Sequence, residues 1–130
     1  MECCGGGSVA DLIKIMDSPL SEPQIAFVCD QVLRCLVYLH GERKIHRDIK
    51  AANIMLTDQG EVKMADFGVA AQLSDSVAKR MTVIGTPYWM SPEILQGFAY
   101  DGTTDIWSLG ITAIEMAERK TPLGRKTFFF

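Results

Sequence analysis

Four side chains near the middle of this sequence could together do a chemistry that none of them supports singly: the carboxylates Asp48 and Asp66, the ammonium Lys50 and the amide Asn53. Asp48, Lys50 and Asn53 belong to the run His46-Arg47-Asp48-Ile49-Lys50-Ala51-Ala52-Asn53, and Asp66 opens Asp66-Phe67-Gly68. Between them lie two short apolar runs, 53–56 and 61–65, separated by Thr57-Asp58-Gln59-Gly60, and this pattern predicts a β-hairpin. A hairpin returns the chain to its starting end, so Asn53 and Asp66 can face one point. Two oxygen ligands meeting near bound phosphates suit Mg²⁺, which keeps waters and takes few protein ligands. Phosphoryl transfer asks mainly for positioning and charge neutralisation, and one cation, one carboxylate and one ammonium cover most of that demand. Either triplet alone carries little weight, since Asp66 by itself could simply start a turn. Their order and the elements between them carry the reading.

Those elements can be read from periodicity and capping. Ser8 and Asp11 form a capping box that predicts a short helix from Val9 to about Met16, ended by Asp17-Ser18-Pro19. Ser21 and Gln24 repeat the pattern ahead of Ile25, Val28, Cys29, Val32, Leu33, Leu36 and Leu39, the 3.6-residue period of a long amphipathic helix that His40 ends. From Asp66 to about Pro92 no period persists, and Gly68, Gly85, Pro87 and Pro92 punctuate a long loop of the kind that is usually functional or disordered. Thr104 to Ala117 carries Ile106, Trp107, Leu109, Ile111, Ile114 and Met116, which predicts a helix apolar on most sides, of a kind that belongs in the middle of a domain; near the end of this sequence it is expected to be left partly exposed.

The 130 residues suffice for one domain, and the net charge of −3 with a pI near 5.3 leaves no basic footprint for nucleic acid. Cys3, Cys4, Cys29 and Cys35 have neither the spacing of a zinc site nor that of a redox pair, and they read as reduced thiols. Cys29 and Cys35 do not share a helix face, so packing is the role expected of them. No apolar run is long enough to span a membrane, and no signal peptide is evident; a cytoplasmic chain is expected.

Taken in order, Met1-Glu2, HRDIKAAN, DFGVAAQL, KRMTVIGTPYWMSPE and DIWSLGITAIEMAE resemble the sterile-twenty-like branch of the protein kinases, especially its germinal-centre or Hippo-type serine/threonine members. The resemblance implies a protein kinase-like α+β fold, here a partial large lobe that is mainly helical with one short hairpin. It also implies ATP and Mg²⁺ as cofactors and transfer of the γ-phosphoryl to Ser or Thr of protein substrates. By position, Asp48 resembles the catalytic base, Lys50 the lysine on the transferred phosphoryl, and Asn53 and Asp66 the magnesium ligands. Lys50 further favours Ser/Thr over Tyr as the acceptor. Thr86 matches the threonine that bonds the catalytic aspartate and lysine, and Asp105 the helix aspartate that caps the catalytic-loop backbone. His46 and Phe67 resemble members of the stacked hydrophobic spine. Glu2 and Cys4 align with positions whose backbone meets adenine, and Met55 with the apolar floor beneath the ring. Arg47 resembles the arginine that receives an activation-loop phosphate, with Thr82 as the phosphosite, so an upstream kinase or a trans-autophosphorylating partner is implied. Lys79-Arg80 reads instead as a solvated basic pair.

The resemblance also carries departures. It begins beyond the glycine-rich loop and the strand lysine of the small lobe, and it weakens after Pro122. The expected organisation is therefore a partial kinase domain over 1–122 and a divergent tail over 123–130, with little ATP binding or activity in these residues alone. Cys3 stands where the family often has Tyr, and Ser91 where it has Ala. Glu93 is expected to be a buried carboxylate short of its arginine partner. The rival reading is a non-catalytic docking or dominant-negative module that holds kinase substrates without phosphorylating them.

Overall fold

A computed structural model describes residues 5–66 and 86–122, and the backbone of 71–72. Helix α1, Val9–Met16, begins at Ser8 with the capping box in place: Asp11 N donates to Ser8 Oγ at 3.1 Å, and Ser8 N donates to Asp11 Oδ2 at 3.0 Å. It ends at Asp17 in the left-handed conformation. Helix α2, Glu22–Gly41, opens with Ser21 N donating to Gln24 Oε1 at 2.8 Å. Its buried stripe is Val28, Val32, Leu36 and Leu39, while Ile25 and Cys29 are half-buried. Leu33 departs from the predicted stripe and is exposed.

Strand β1, Lys44–Ile45, follows α2, and a single 3-10 turn, Ala51–Asn53, leads into β2, Ile54–Leu56. Strand β3, Val62–Met64, pairs antiparallel with β2 in the register Ile54 to Met64 and Leu56 to Val62, so the predicted hairpin is present. Gly60 closes its turn at φ +80°, and Gly60 N donates to Thr57 O at 2.9 Å. A second pairing escaped the sequence reading: β4, Ala71–Gln72, lies antiparallel to β1. Two-residue strands carry too little pattern to be read without their partner.

A 3-10 turn, Pro87–Trp89, precedes the short helix α3, Pro92–Leu95, and the long helix α4, Thr103–Glu118. One core joins Val9 and Ile13 of α1, the α2 stripe, Ile49, Ile54, Val62, and Leu109 and Met116 of α4. A smaller cluster, Ile45, Met90, Ile94 and Tyr100, packs beside it. The far ends of α1 and α4 are tied together, with Leu20 N donating to Met116 O at 3.0 Å and Arg119 Nη1 to Asp17 O at 2.9 Å.

Helix α4 is apolar on several sides but covered on only part of its circumference, in keeping with the expectation of an exposed central helix. Its buried side is largely polar, Thr104, Asp105, Ser108 and Thr112 together with Leu109 and Met116, whereas Ile106, Trp107 and Ile114 are 47%, 46% and 37% exposed. The apolar residues line an open groove that also includes Glu93, so that carboxylate is half-buried and not enclosed as expected.

Ser91 is fully buried at the start of α3, and among the described residues its hydroxyl has no hydrogen-bond partner. The helix start is served by backbone instead, Ile94 N and Leu95 N donating to Ser91 O at 3.1 and 3.2 Å. An unpaired buried hydroxyl is a net cost, so Ser91→Ala is expected to stabilise the fold by about 1 kcal/mol. A urea midpoint that moves downward in the variant would contradict this.

Candidate active site

The site is built on the segment between β1 and β2. His46 and Arg47 present successive backbone N–H groups to one carboxylate: His46 N donates to Asp105 Oδ2 and Arg47 N to Asp105 Oδ1, both at 2.9 Å. Such a backbone nest favours an anion, and it holds Arg47 at φ +70°, a conformation that L residues otherwise avoid. The chain is thereby bent so that Asp48, eight per cent exposed, turns inward.

Three side chains converge on Asp48. Thr86 Oγ1 donates to Oδ1 at 2.8 Å, Asn53 Nδ2 donates to Oδ2 at 2.9 Å, and Lys50 Nζ lies 3.2 Å from Oδ2. Lys50 Nζ also donates to Thr86 Oγ1 at 2.8 Å, closing a triangle of carboxylate, ammonium and hydroxyl. Asn53 Nδ2 donates in addition to the Asp48 carbonyl at 2.8 Å. Both amide hydrogens are thus used, and Asn53 Oδ1 is the atom left to face a cation. The 3-10 turn puts Asn53 there, since Asn53 N donates to Lys50 O at 2.9 Å.

Asp66 reaches the same neighbourhood through the residue before it. Ala65 N donates to Asn53 O at 2.9 Å, and His46 Nε2 donates to Ala65 O at 3.0 Å. The His46 tautomer follows from its other ring nitrogen, which accepts from Asp48 N at 3.3 Å. Asp66 itself is exposed and left-handed, at φ +61°. Among the described residues no three His, Cys, Asp or Glu side chains cluster as a metal cage. One amide oxygen and one exposed carboxylate instead fit an ion that keeps waters and shares phosphate oxygens, as Mg²⁺ does.

Of the remaining candidates, Met55 is half-buried on β2, opposite Lys63, and also bridges to Ser8. Arg47 is half-buried, and its Nη1 donates to Tyr100 Oη at 3.1 Å. Glu2, Cys4, Phe67 and Thr82 lie outside the described residues.

The sequence reading missed most of what α4 contributes. Besides Asp105, Ser108 Oγ donates to Trp89 O at 2.8 Å, and Thr112 Oγ1 lies 3.4 Å from Ile49 O. Glu115 Oε2 accepts from Ala51 N at 3.1 Å and from Trp89 Nε1 at 2.8 Å. Residues 105, 108, 112 and 115 recur at the spacing of one helix face, so a polar stripe joins the 46–51 and 86–90 segments to a single rod. That spacing was the available signal, hidden by attention to the apolar residues. His40, expected only to end α2, donates from Nε2 to Asp105 Oδ2 at 2.8 Å.

Two carboxylates on this framework are shifted in opposite directions. Burial pushes the Asp48 carboxyl upward, but the hydrogen bonds from Thr86 and Lys50, the Lys50 charge and the Asn53 amide outweigh it, leaving Asp48 below its ordinary 3.8. Burial raises Glu115 above its ordinary 4.5, against the opposing pull of the Ala51 amide, the Trp89 indole and the Lys50 charge. For Asp48 the unfolded chain binds more protons, so its stabilisation is present above the unfolded value and lost as pH falls through the folded one. For Glu115 the folded chain binds more, so stability falls as pH rises from 4.5 through the raised value. Glu115→Gln is expected to flatten that decline, read from urea midpoints between about pH 4 and pH 8. Equal slopes in the two proteins would show that Glu115 does not set it.

A loop whose aspartate, lysine and asparagine interlock, carried on a hairpin and anchored to a polar helix face, is how a phosphoryl-transfer site of the kinase class is built. The protein kinase domain family matches residues 1–128, and the chain belongs to that family. Its relatives are named serine/threonine kinases. It is 63% identical over 123 residues to serine/threonine-protein kinase 4 homolog A of Dictyostelium discoideum, covering 95% of this chain and 27% of that protein. It is 59% identical over 124 residues to serine/threonine-protein kinase hippo of Drosophila melanogaster, covering 95% of this chain and 18% of the relative. With serine/threonine-protein kinase 1 of Arabidopsis thaliana it shares 58% over 122 residues, 94% of this chain and 15% of the relative. The chain therefore spans about a quarter or less of the length of these relatives.

Proposed function

We propose that the protein carrying this chain transfers the γ-phosphoryl of ATP to Ser or Thr hydroxyls of other proteins, with Mg²⁺. The observation that supports this most strongly is the triangle of Asp48, Lys50 and Thr86. It sets a carboxylate held in its charged form next to an ammonium, with a hydroxyl bridging the two.

In this reading Asp48 orients the incoming hydroxyl and accepts its proton. A carboxyl held below its ordinary range is a weak base, which suits a loose transition state in which the proton leaves late and alignment matters most. Lys50 neutralises charge on the transferred phosphoryl. Thr86 keeps both side chains in register. Asn53 Oδ1 and the Asp66 carboxylate would hold Mg²⁺, which when bound draws charge from the phosphate oxygens. Met55 supplies the floor under adenine, and the backbone at Glu2 and Cys4 its hydrogen bonds. Arg47 pairs with a phosphate carried on Thr82, placed there from ATP by an upstream kinase or by a second copy of the protein.

No helix among the described residues is long and apolar enough to cross a membrane, and Cys29 and Cys35 are free thiols. With ATP as the phosphoryl donor, we place the protein in the reducing cytoplasm. The test is incubation of the full-length protein with γ-labelled ATP and a mixed Ser/Thr/Tyr peptide library, with and without Mg²⁺. Metal-dependent label on Ser and Thr is expected. Label confined to Tyr, or none with any library, would overturn the proposal.

A further inference from the structure

We infer that Gly102 and His40 form one positioning unit for the loop that carries Asp48, in which the missing side chain at 102 leaves room for the His40 ring to reach Asp105. The inference rests on the reading of residues 46–53 as the phosphoryl-transfer loop.

His40 stands in the last turn of α2, and Gly102 is the residue just before α4. A Cβ at 102 would lie 2.9 Å from His40 Cε1, 3.0 Å from Nδ1 and 3.2 Å from Cγ, closer than unstrained carbon contacts allow. Glycine is not needed there for the backbone, because φ −61° and ψ −16° suit any L residue. It is needed for space. The ring has little freedom to yield, since its Nε2 is held on Asp105 Oδ2 at 2.8 Å and Asp105 is fully buried. A carboxylate oxygen only accepts, so that nitrogen must carry the hydrogen.

The other partners of Asp105 are the amides of His46 and Arg47, the two residues before Asp48. The contact at 102 is thereby coupled to the loop through one ring and one carboxylate, across 65 residues of sequence between His40 and Asp105. Neither Gly102 nor His40 touches the reacting atoms, so both are positioning residues.

A purely local role for Gly102 makes the opposite forecast. Gly→Ala at a right-handed position normally stabilises a fold by restricting the unfolded chain. The test is therefore a cycle of wild type, Gly102→Ala, His40→Ala and the double variant, read by amide hydrogen exchange at His46 and Arg47 and by urea midpoint. With the ring present, G102A is expected to speed exchange of the two amides roughly tenfold and to lower the midpoint. In the H40A background it should leave exchange unchanged and raise the midpoint. A G102A effect of the same sign and size in both backgrounds would overturn the coupling, as would a raised midpoint with the ring in place. His40→Asn, a smaller residue that keeps a donor, serves as a second background, and there too G102A should leave exchange of the two amides unchanged.

These proteins, full-length in every experiment, are also assayed for phosphoryl transfer, where G102A should lower kcat more than it changes KM for ATP. Coupled amides in a protein that transfers nothing would sink the proposed function and leave the positioning unit standing. Transfer at the wild-type rate in G102A, with additive exchange, would do the reverse.

Discussion

Asp48→Asn in the full-length protein is expected to lower the rate of phosphoryl transfer at saturating ATP by about 10²- to 10⁴-fold, the usual worth of a positioned acid or base. The substitution is close to isosteric, so packing around residue 48 should survive. Thr86 Oγ1 and Lys50 Nζ both point at the carboxylate, and an amide oxygen can still accept from one of them. What the amide loses is the capacity to take the proton of the incoming hydroxyl and to balance the ammonium. Single-turnover kinetics beside a urea midpoint separates these effects. A variant that keeps more than about a tenth of the wild-type rate would remove Asp48 from the role of base.

Asp105→Ala is expected to be the most damaging change to stability. It strands three N–H donors, those of His46, Arg47 and the His40 ring, around a position that is itself fully buried. At about 1–3 kcal/mol for each unsatisfied donor the loss is about 3–6 kcal/mol after partial relaxation, a large part of a domain stability of about 5–15 kcal/mol. Arg47 would also lose the anion that holds its left-handed backbone. Asp105→Asn should recover part of this, because one oxygen remains as acceptor while its NH₂ confronts a donor. Equilibrium urea unfolding of the three proteins measures the series. An alanine variant within about 1 kcal/mol of wild type would show that the nest is satisfied some other way.

The three local elements that capping and alternation govern were legible in sequence. Ser8 with Asp11, Ser21 with Gln24, and the Thr57 to Gly60 turn each satisfy their hydrogen bonds within a few residues, so their geometry is written in neighbours. The β1 and β4 pairing was not legible, because Lys44 and Gln72 find each other only after the hairpin has turned the chain. Leu33 misled because a helix of 3.6 residues per turn offers apolar residues to a stripe wider than the partner surface that covers it.

For the candidate site, sequence alone named the chemical groups, Asp48, Lys50, Asn53, Asp66 and Thr86, and the order in which they occur. Tertiary structure decided which oxygen of Asp48 meets Thr86, which atom of Asn53 bonds Asp48, and that Asp105, Ser108, Thr112 and Glu115 turn inward while Ile106 and Trp107 turn out. The division has one physical cause. Capping and turn preferences are set by bonds a few residues apart. The direction a polar side chain faces on a mixed helix is set by unpaired N–H groups brought to it from 59 or 65 residues away, and those exist only once the chain has folded.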